Sequence, residues 1–423
     1  MKKLTIYIFI LSIFIGFAQQ TPAPKQNKAI TIEGATAHLG NGKVIDNALI
    51  MFENGKITYM GSALTKIARK GEIINAKGKH VYPGFIVPNS TLGLVEIDAV
   101  RASDDDAEIG NWNPNIRSLI AYNAESRVVE SMRPNGVLLG QITPRGARLT
   151  GTSSIVQFDA WNWEDAAVKA DDAVHLNWPQ NFKQRRGVVS QNKEYKTQTL
   201  KIHEYFSNAK AYLNGSKATT HLPFEALSGV FNGSKKLFIH VDEEKGIIDA
   251  VSFSQKHKLQ NIVIVGGYQA ENTIDLLKKH NIPVVLRRVH SLPNLDDNDY
   301  DLPFKLAKTL TNAGITVALE TSGDMERMNT RNLPFYAGTT VAHGLTKAQA
   351  LQLITLNAAK ILGIDENYGS LENGKSATLF ISEGDALDMK TNKISYAFID
   401  GRSISLETHQ TKLWKRYSKK LEK

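Results

Sequence analysis

The segment VYPGFIVPNSTLG, from Val81 to Gly93, marks a change of structural type along this chain. Its apolar residues form a strand-like run that Pro83 and Gly84 interrupt. Proline has no N–H to donate to a sheet and glycine permits a tight bend, so this pair indicates a boundary. The segment therefore predicts the entry into a buried strand that ends among small polar residues.

Upstream of this boundary, short apolar or alternating runs are separated by Asn41-Gly42 and Asn54-Gly55. Asn-Gly between apolar runs is a strong signal for a β-hairpin. Residues 29–83 are therefore predicted to form a small all-β unit, which follows a linker over residues 19–28.

Downstream of the boundary, predicted strands alternate with predicted helices. The strand candidates are 236–241, 261–265, 282–287 and 315–319, and the helix candidates are 244–256, 270–280 and 302–313. This alternation indicates βαβ units with a parallel sheet, and its length favours a (β/α)8 TIM barrel over residues 84–374.

The chain returns to β structure after the barrel. A helix is predicted over 345–363, with Thr346 as its N-cap and Gly363 at its end. Strands are then expected at 377–382 and 394–399. We predict that residues 375–405 complete the N-terminal β unit as a composite β-sandwich formed by segments near both termini.

The two ends of the chain carry separate signals. Residues 1–18 have a short basic start, an apolar run and small residues near Ala18, which is the pattern of a cleavable signal peptide. A periplasmic or secreted protein is therefore expected, with no membrane span after cleavage. The chain has no cysteine, which excludes disulfides, thiolate zinc sites and a cysteine nucleophile.

Positive charge is concentrated in a tail over residues 406–423. The formal charge is +9, and removing Lys2 and Lys3 with the signal peptide leaves 9 − 2 = +7. Basic residues around Trp414 and Tyr417 suit nucleic acid or anionic lipid. Export argues against nucleic acid as a partner, and charge runs are typical of solvated helix ends, which is the interpretation adopted at this point.

Several motifs resemble one family. LTKAQALQLITLNAAKILGI, GSLENGKSATLFI and FIDGR near the C-terminus, with ENGKI and PGFI near the N-terminus, are similar to amidohydrolases of the imidazolonepropionase-like branch. The resemblance implies a TIM-barrel hydrolase of C–N bonds with a divalent metal, usually zinc. In that family the metal lowers the pKa of a bound water and polarises the scissile carbonyl.

The metal-ligand positions implied by the resemblance are mostly changed. The family's His-x-His pair corresponds to Asn89 and Thr91, and its later histidine falls at Val265-Gly266-Gly267. His240 retains one ligand position. The family's aspartate corresponds by direct register to Ser322.

Displaced carboxylates lie close to these positions. Asp242 follows His240, and Glu320 and Asp324 flank Ser322. With Asn89 and Thr91, the residues Asp242, Glu320 and Ser322 are candidates for binding a ligand in the barrel mouth.

Two hypotheses of function remain open at this point. The first is a pseudoenzyme with a degraded metal site, which binds a small molecule or pairs with an active homologous subunit in a hetero- or homo-oligomer. The second is an active hydrolase of cyclic amides or dipeptide-like substrates. It would use a rebuilt site in which His240 binds a weakly held zinc ion and Asp324 is catalytic.

Overall fold

A computed structural model describes residues 21–185, 188–216, 219–294, 298–323 and 325–421. The predicted signal peptide and Asp324 lie outside the described residues. Within them, no helix is both long enough and apolar enough to cross a bilayer.

Two eight-stranded sheets and one short hairpin contain the strands of the described chain. The first sheet draws its strands from both ends of the chain: β1 (Ile30–His38), β2 (Val44–Glu53), β3 (Lys56–Ser62), β4 (Glu72–Asn75), β5 (His80–Pro83), β16 (Leu379–Ser382), β17 (Ile394–Ile399) and β18 (Arg402–Ser403). The second sheet is the barrel: β6 (Phe85–Ser90), β7 (Val137–Ile142), β8 (Leu149–Gln157), β9 (Ala167–Asn177), β12 (Lys236–Val241), β13 (Ile262–Gly266), β14 (Val284–Leu286) and β15 (Val317–Leu319). The hairpin consists of β10 (Phe182–Arg185) and β11 (Val188–Gln191).

The helices are short in the first half of the barrel and longer in the second. They are α1 (Ser118–Ala121), α2 (Arg127–Glu130), α3 (Trp163–Ala166), α4 (Tyr195–Asn214), α5 (Leu222–Ala226), α6 (Ser228–Asn232), α7 (Glu244–His257), α8 (Ile274–Lys279), α9 (Leu302–Asn312), α10 (Glu326–Asn329), α11 (Leu333–Ala342), α12 (Lys347–Gln352), α13 (Leu356–Leu362) and α14 (His409–Ser418). Four 3₁₀ turns cover Arg101–Ser103, Arg133–Asn135, Ala270–Thr273 and Thr330–Asn332.

The first sheet confirms that segments near both termini build one β-rich domain. Its order is β18-β17-β16-β5-β1-β2-β3, with β4 paired to β1. β16 lies antiparallel to β5, so Phe380 is paired with Tyr82 across a sequence separation of almost 300 residues. A separate apolar core contains side chains from β1, β2, β5, β16 and β17.

The barrel is nearly closed, and one apolar layer fills its interior. Each of its eight strands contributes at least one side chain to this layer: Ile86, Leu139, Ile155, Ala173, Phe238, Val263, Val265, Val285 and Ala318. Residues of α13 belong to the same cluster and close one end. This packing is the filled interior expected of an eight-stranded barrel.

One strand departs from a fully parallel barrel. β8 is antiparallel to both β7 and β9, whereas the other neighbouring strands are parallel. Antiparallel neighbours need only a short turn, so β7, β8 and β9 follow one another without crossover helices. The fold class is confirmed, but the regular alternation of strands and helices holds only from β12 onward.

The predicted caps near the C-terminus are confirmed, although the single predicted helix is divided. Thr346 forms a capping box with Gln349 at the start of α12. Gly363 has φ +70° directly after α13, a left-handed conformation that favours glycine. Between α12 and α13, Thr355 has a non-helical backbone, so the helical pattern of the sequence is interrupted.

Buried aromatic and ionic contacts join the two domains. The ring of Phe380 lies 5.5 Å from that of Tyr82 and 4.9 Å from that of Phe85, centroid to centroid. Asp159, which follows β8, accepts hydrogen bonds from Arg133 at 2.8 Å and Arg402 at 2.9 Å. These contacts fix the β-rich domain against the barrel.

Candidate functional site

A cavity of about 580 Å³ opens at the end of the barrel where the parallel strands finish. Residues at the ends of β6, β12 and β13 line it, together with the segment after β15. Of the predicted candidates, it brings together Asn89, His240, Asp242, Glu320 and Ser322. The mouth of the barrel is therefore where the structure places most of the predicted site.

Asn89 is held at the centre of this mouth by its neighbours. It has φ +53°, a left-handed conformation that asparagine tolerates better than most residues. Its side-chain amide donates to the Glu320 carboxylate, and its Oδ1 accepts from Arg145 at 2.8 Å. Its backbone N–H donates to Gln141 Oε1 at 3.1 Å, and its carbonyl accepts from Arg145 at 2.9 Å.

Thr91 lies on a neighbouring cavity of about 480 Å³. Its N–H donates to Glu326 Oε1 at 2.7 Å, and Arg145 reaches the other oxygen of the same carboxylate at 3.1 Å. Asn89 and Thr91, the two positions predicted to correspond to the His-x-His pair, therefore face different cavities, and Arg145 lines both.

Glu320 is a buried carboxyl group directly after β15. Besides Asn89, it accepts a hydrogen bond from the Ser322 hydroxyl at 2.5 Å. Burial raises the pKa of Glu320 from 4.5 to about 7, although the hydrogen bond from Ser322 and the positive charge of Arg145 act in the opposite direction. A group with this pKa exchanges a proton near neutral pH.

His240 belongs to a chain of hydrogen bonds inside the barrel. Its Nε2 lies 2.9 Å from Nδ1 of His175, and Nε2 of His175 lies 2.9 Å from the Ser153 hydroxyl. Ser153 donates to Asp172 at 2.8 Å and accepts from Gln141 at 3.1 Å. Because Ser153 uses its hydrogen on Asp172, His175 must donate to Ser153 through Nε2. Nδ1 of His175 is then an acceptor, and His240 donates to it through Nε2. Nδ1 of His240 keeps its lone pair.

Both imidazoles are neutral at physiological pH. Burial, followed by the positive charge of Arg145, lowers the pKa of His240 from 6.5 to about 3. Burial also lowers the pKa of His175 well below its ordinary value. The pair therefore acts as a fixed hydrogen-bonding element at neutral pH.

The Asp242 carboxylate occupies space at the Gly266 position. It forms an ion pair with Arg287 at 2.9 Å and accepts from the N–H of Tyr268 at 3.3 Å. A Cβ atom on Gly266 would lie 2.5 Å from the Asp242 carboxylate, and Gly266 itself has φ +94°. A histidine at this position would collide with the carboxylate and would also strain the backbone.

Residues of this network that the sequence did not single out include Arg145, Asp172, His175 and Glu326. Asp172 and His175 are polar residues among the apolar residues of one strand, and both are buried. Polar residues in an apolar strand were the one feature of the sequence that could have indicated them. Arg145 and Glu326 lie outside the strands, and nothing local predicted that Arg145 would bind both Asn89 and Glu326.

Comparison with known proteins is informative once this geometry is known. A family model described as the amidohydrolase family matches residues 182–404, more than half of the 423-residue chain. The chain belongs to the amidohydrolase family. The predicted family and its imidazolonepropionase-like branch are thereby confirmed.

Similar proteins within the family cover most of the chain. An imidazolonepropionase of Flavobacterium psychrophilum is 28% identical over 85% of this chain and 92% of its own length. A 5-methylthioadenosine/S-adenosylhomocysteine deaminase of Thermoanaerobacter pseudethanolicus is 24% identical over 81% of this chain and 82% of its own. The crystal structure of an amidohydrolase from Thermotoga maritima superimposes with a TM-score of 0.78 at 22% identity, covering 89% of this chain and 99% of that one. The family and its imidazolonepropionase and deaminase members relate the chain to hydrolases of carbon–nitrogen bonds, and the superposition shows the shared fold.

The divalent metal usual in this family does not fit the side chains that the structure describes in the mouth. Among the described residues, no three histidine, aspartate or glutamate side chains come together as a metal site. Nε2 of His240 is used by His175, and Glu320 is used by Asn89 and Ser322. A zinc site needs three protein ligands. In the described part of the mouth, the Asp242 carboxylate is paired with Arg287 and the Glu243 carboxylate accepts from backbone N–H groups, which leaves one imidazole nitrogen of His240 beside the Arg145 guanidinium.

Proposed function

We propose that this protein binds a small polar ligand in the barrel mouth without a metal ion, and that it hydrolyses C–N bonds weakly or not at all. One observation carries the proposal: the positions that hold metal ligands in the resemblance are occupied by groups that bind one another. Asn89 is bound to Glu320 and Arg145, the Gly266 position is filled by Asp242, and Ser322 donates to Glu320.

The positive charge of Arg145 also favours a mouth without a metal ion. Its charge lowers the pKa of His240, so the guanidinium and the imidazole interact. A fixed positive charge at this place disfavours a divalent cation and provides part of the charge that the cation would supply. Since Arg145 also holds Asn89 and Glu326, it is part of the structural frame of the mouth.

The cavity wall indicates the charge of the ligand. Arg148 and Lys183 line the cavity, and no described carboxylate pairs with either of them. Arg148 donates to the carbonyl of Asn177 at 2.6 Å, and burial lowers the pKa of its guanidinium. A partly buried cation without a counter-charge favours an anion, so we propose a ligand that carries a carboxylate.

A second candidate function rests on Glu320. Its pKa of about 7 and its place on the cavity suit a general base that activates water for attack on a C–N bond. This would be metal-independent hydrolysis. The rebuilt metal site that combines His240 with Asp324 stays a prediction, because Asp324 lies outside the described residues.

Elemental analysis of the purified protein tests the proposal. We expect well under one equivalent of zinc, iron or manganese, and no change in metal content in His240→Ala. Near-stoichiometric metal that His240→Ala removes would contradict the proposal. Metal-free hydrolysis of hydantoins or N-acyl amino acids that Glu320→Gln abolishes would favour the second candidate.

The charge of the ligand is tested separately by thermal unfolding with succinate, glutarate and their uncharged diamides. Stabilisation by a diacid that is lost in Arg148→Gln supports a carboxylate ligand. Arg127→Gln is the matched control, because Arg127 is an exposed arginine on α2. Equal stabilisation by acids and diamides would contradict the assignment.

Export and association with an active homologue are also proposals. A mature N-terminus near Gln19 in protein from the cell envelope would support export. Co-purification of a relative that retains His-x-His would support the pairing.

A further inference from the structure

The last helix, α14, is anchored to the rest of the protein at its beginning. Thr408 is buried and caps the helix, and the N–H of His409 donates to the Glu130 carboxylate at 2.5 Å. From His409 to Ser418 no residue of α14 is buried. The helix therefore stands on the surface with most of its circumference uncovered.

Its apolar side chains lie on one side. Successive residues of an α-helix are rotated by about 100°, which places Leu413, Trp414 and Tyr417 within about 100° of one another. Their exposed fractions are 37%, 68% and 60%. Two large aromatic side chains, both mostly exposed, and a partly covered leucine form an apolar face on the surface.

The lysine and arginine side chains of α14 lie mostly away from the apolar face. Lys412 and Lys415 project from the side opposite the apolar face, and Lys419 and Lys420 follow directly after the helix. Arg416 lies at the edge of the apolar face, with its guanidinium 5.6 Å from the centre of the Tyr417 ring. Of these five cations, only Lys415 forms an ion pair with a described carboxylate, to Glu407 at 2.9 Å. Apolar and cationic residues are therefore segregated around one axis.

We propose that α14 attaches this protein to the surface of an anionic lipid bilayer. A helix with aromatic residues on one face and lysine and arginine on the other lies in the plane of the membrane interface. Tryptophan and tyrosine favour the headgroup level, and long basic side chains reach the lipid phosphates beside it. Charge complementarity selects an anionic surface, and the attachment at His409 leaves the apolar face free to lie on it.

Co-sedimentation with vesicles tests this inference on the purified protein. We expect binding to phosphatidylcholine vesicles that contain about one third phosphatidylglycerol, and little binding to phosphatidylcholine alone. High salt should weaken the binding, because each basic residue contributes through screened attraction. In the bound state, Trp414 fluorescence should shift to shorter wavelength.

Two pairs of variants separate the helix from the rest of the surface. Lys419→Gln with Lys420→Gln should reduce the affinity about tenfold or more, given the contribution of each cation near an anionic surface. The exposed Lys278 and Lys279 at the end of α8, changed in the same way, are the control. Trp414→Ala should weaken binding, while Trp161→Ala, at a tryptophan that is 63% exposed, should not.

Three results would overturn the inference. They are no binding to either vesicle, equal losses in the helix variants and their controls, and a dimer in ultracentrifugation that Trp414→Ala dissociates. The last result would assign the apolar face to a second copy of the chain. Circular dichroism of each variant checks that the fold is intact.

Discussion

The buried carboxyl group of Glu320 predicts a specific pH dependence of stability. Its pKa is about 7 in the folded protein against an ordinary value of 4.5 in the unfolded chain. Because folding raises the pKa, the protonated form stabilises the fold. This contribution is complete below about pH 4.5 and is lost as the pH rises through 7.

The magnitude follows from the size of the pKa shift. One pKa unit corresponds to about 1.4 kcal/mol, so the full shift amounts to about 3 kcal/mol. Between pH 5 and pH 8, about 2.5 kcal/mol of it should disappear from the free energy of unfolding. Glu320→Gln keeps the size of the side chain and an oxygen that accepts from Asn89, but it cannot ionise.

Urea unfolding of wild type and Glu320→Gln at several pH values between 5 and 8 measures this difference. The free energy of unfolding of the wild type should fall relative to the variant by about 2.5 kcal/mol as the pH rises. Glu164→Gln, at an exposed carboxylate in α3, controls for the loss of one acidic group. A difference between wild type and Glu320→Gln that is constant across this range would refute the reasoning.

Three further perturbations test the frame of the site. Asn89→Ala should lower the free energy of unfolding by about 2 to 4 kcal/mol in urea titrations, because it removes the bonds to Glu320 and Arg145 and strains a left-handed backbone. Asn89→Gly should lose about 1 kcal/mol less than Asn89→Ala, because glycine adopts the left-handed backbone without strain. Equal losses in the two variants would show that backbone strain at position 89 does not contribute. Asp159→Ala should lower the free energy of unfolding by about 3 to 5 kcal/mol, because it leaves the buried guanidinium of Arg133 without its carboxylate. The melting temperature should fall accordingly. A loss below about 1 kcal/mol, the size typical of an exposed ion pair, would contradict this. Phe380→Ala should lower the free energy of unfolding by about 3 to 5 kcal/mol in the same assay, because it removes a buried ring that contacts Tyr82 and Phe85. Phe380→Leu should lower it less. Equal losses in the two variants would contradict this expectation.

Local sequence signals predicted the elements of the second half of the barrel closely. The strand over 236–241 and the helix that begins at Glu244 agree with β12 and α7. Period, length and caps are properties of neighbouring residues, so one chain is sufficient to identify them. The Asn-Gly pairs likewise marked the hairpins of the β-rich domain, and Asn54-Gly55 connects β2 and β3.

The first half of the barrel was harder to predict because its order depends on pairing between strands. Nothing in the composition of β8 distinguishes an antiparallel strand from a parallel one, since all nine of its residues are buried. The direction of β8 follows from the short connections on either side, which become evident only when β7 and β9 are placed.

By itself, the sequence determined the fold class and the composite β-rich domain, because both depend on residue types in a local pattern. Only the tertiary structure decided which side chains surround Asn89 and His240. Arg145 and His175 come from distant parts of the chain and meet Asn89 and His240 in the barrel, and Glu326 pairs with Arg145. Hydrogen bonds between such distant residues leave no periodic trace in the sequence, so the network that occupies the barrel mouth had to be seen in three dimensions.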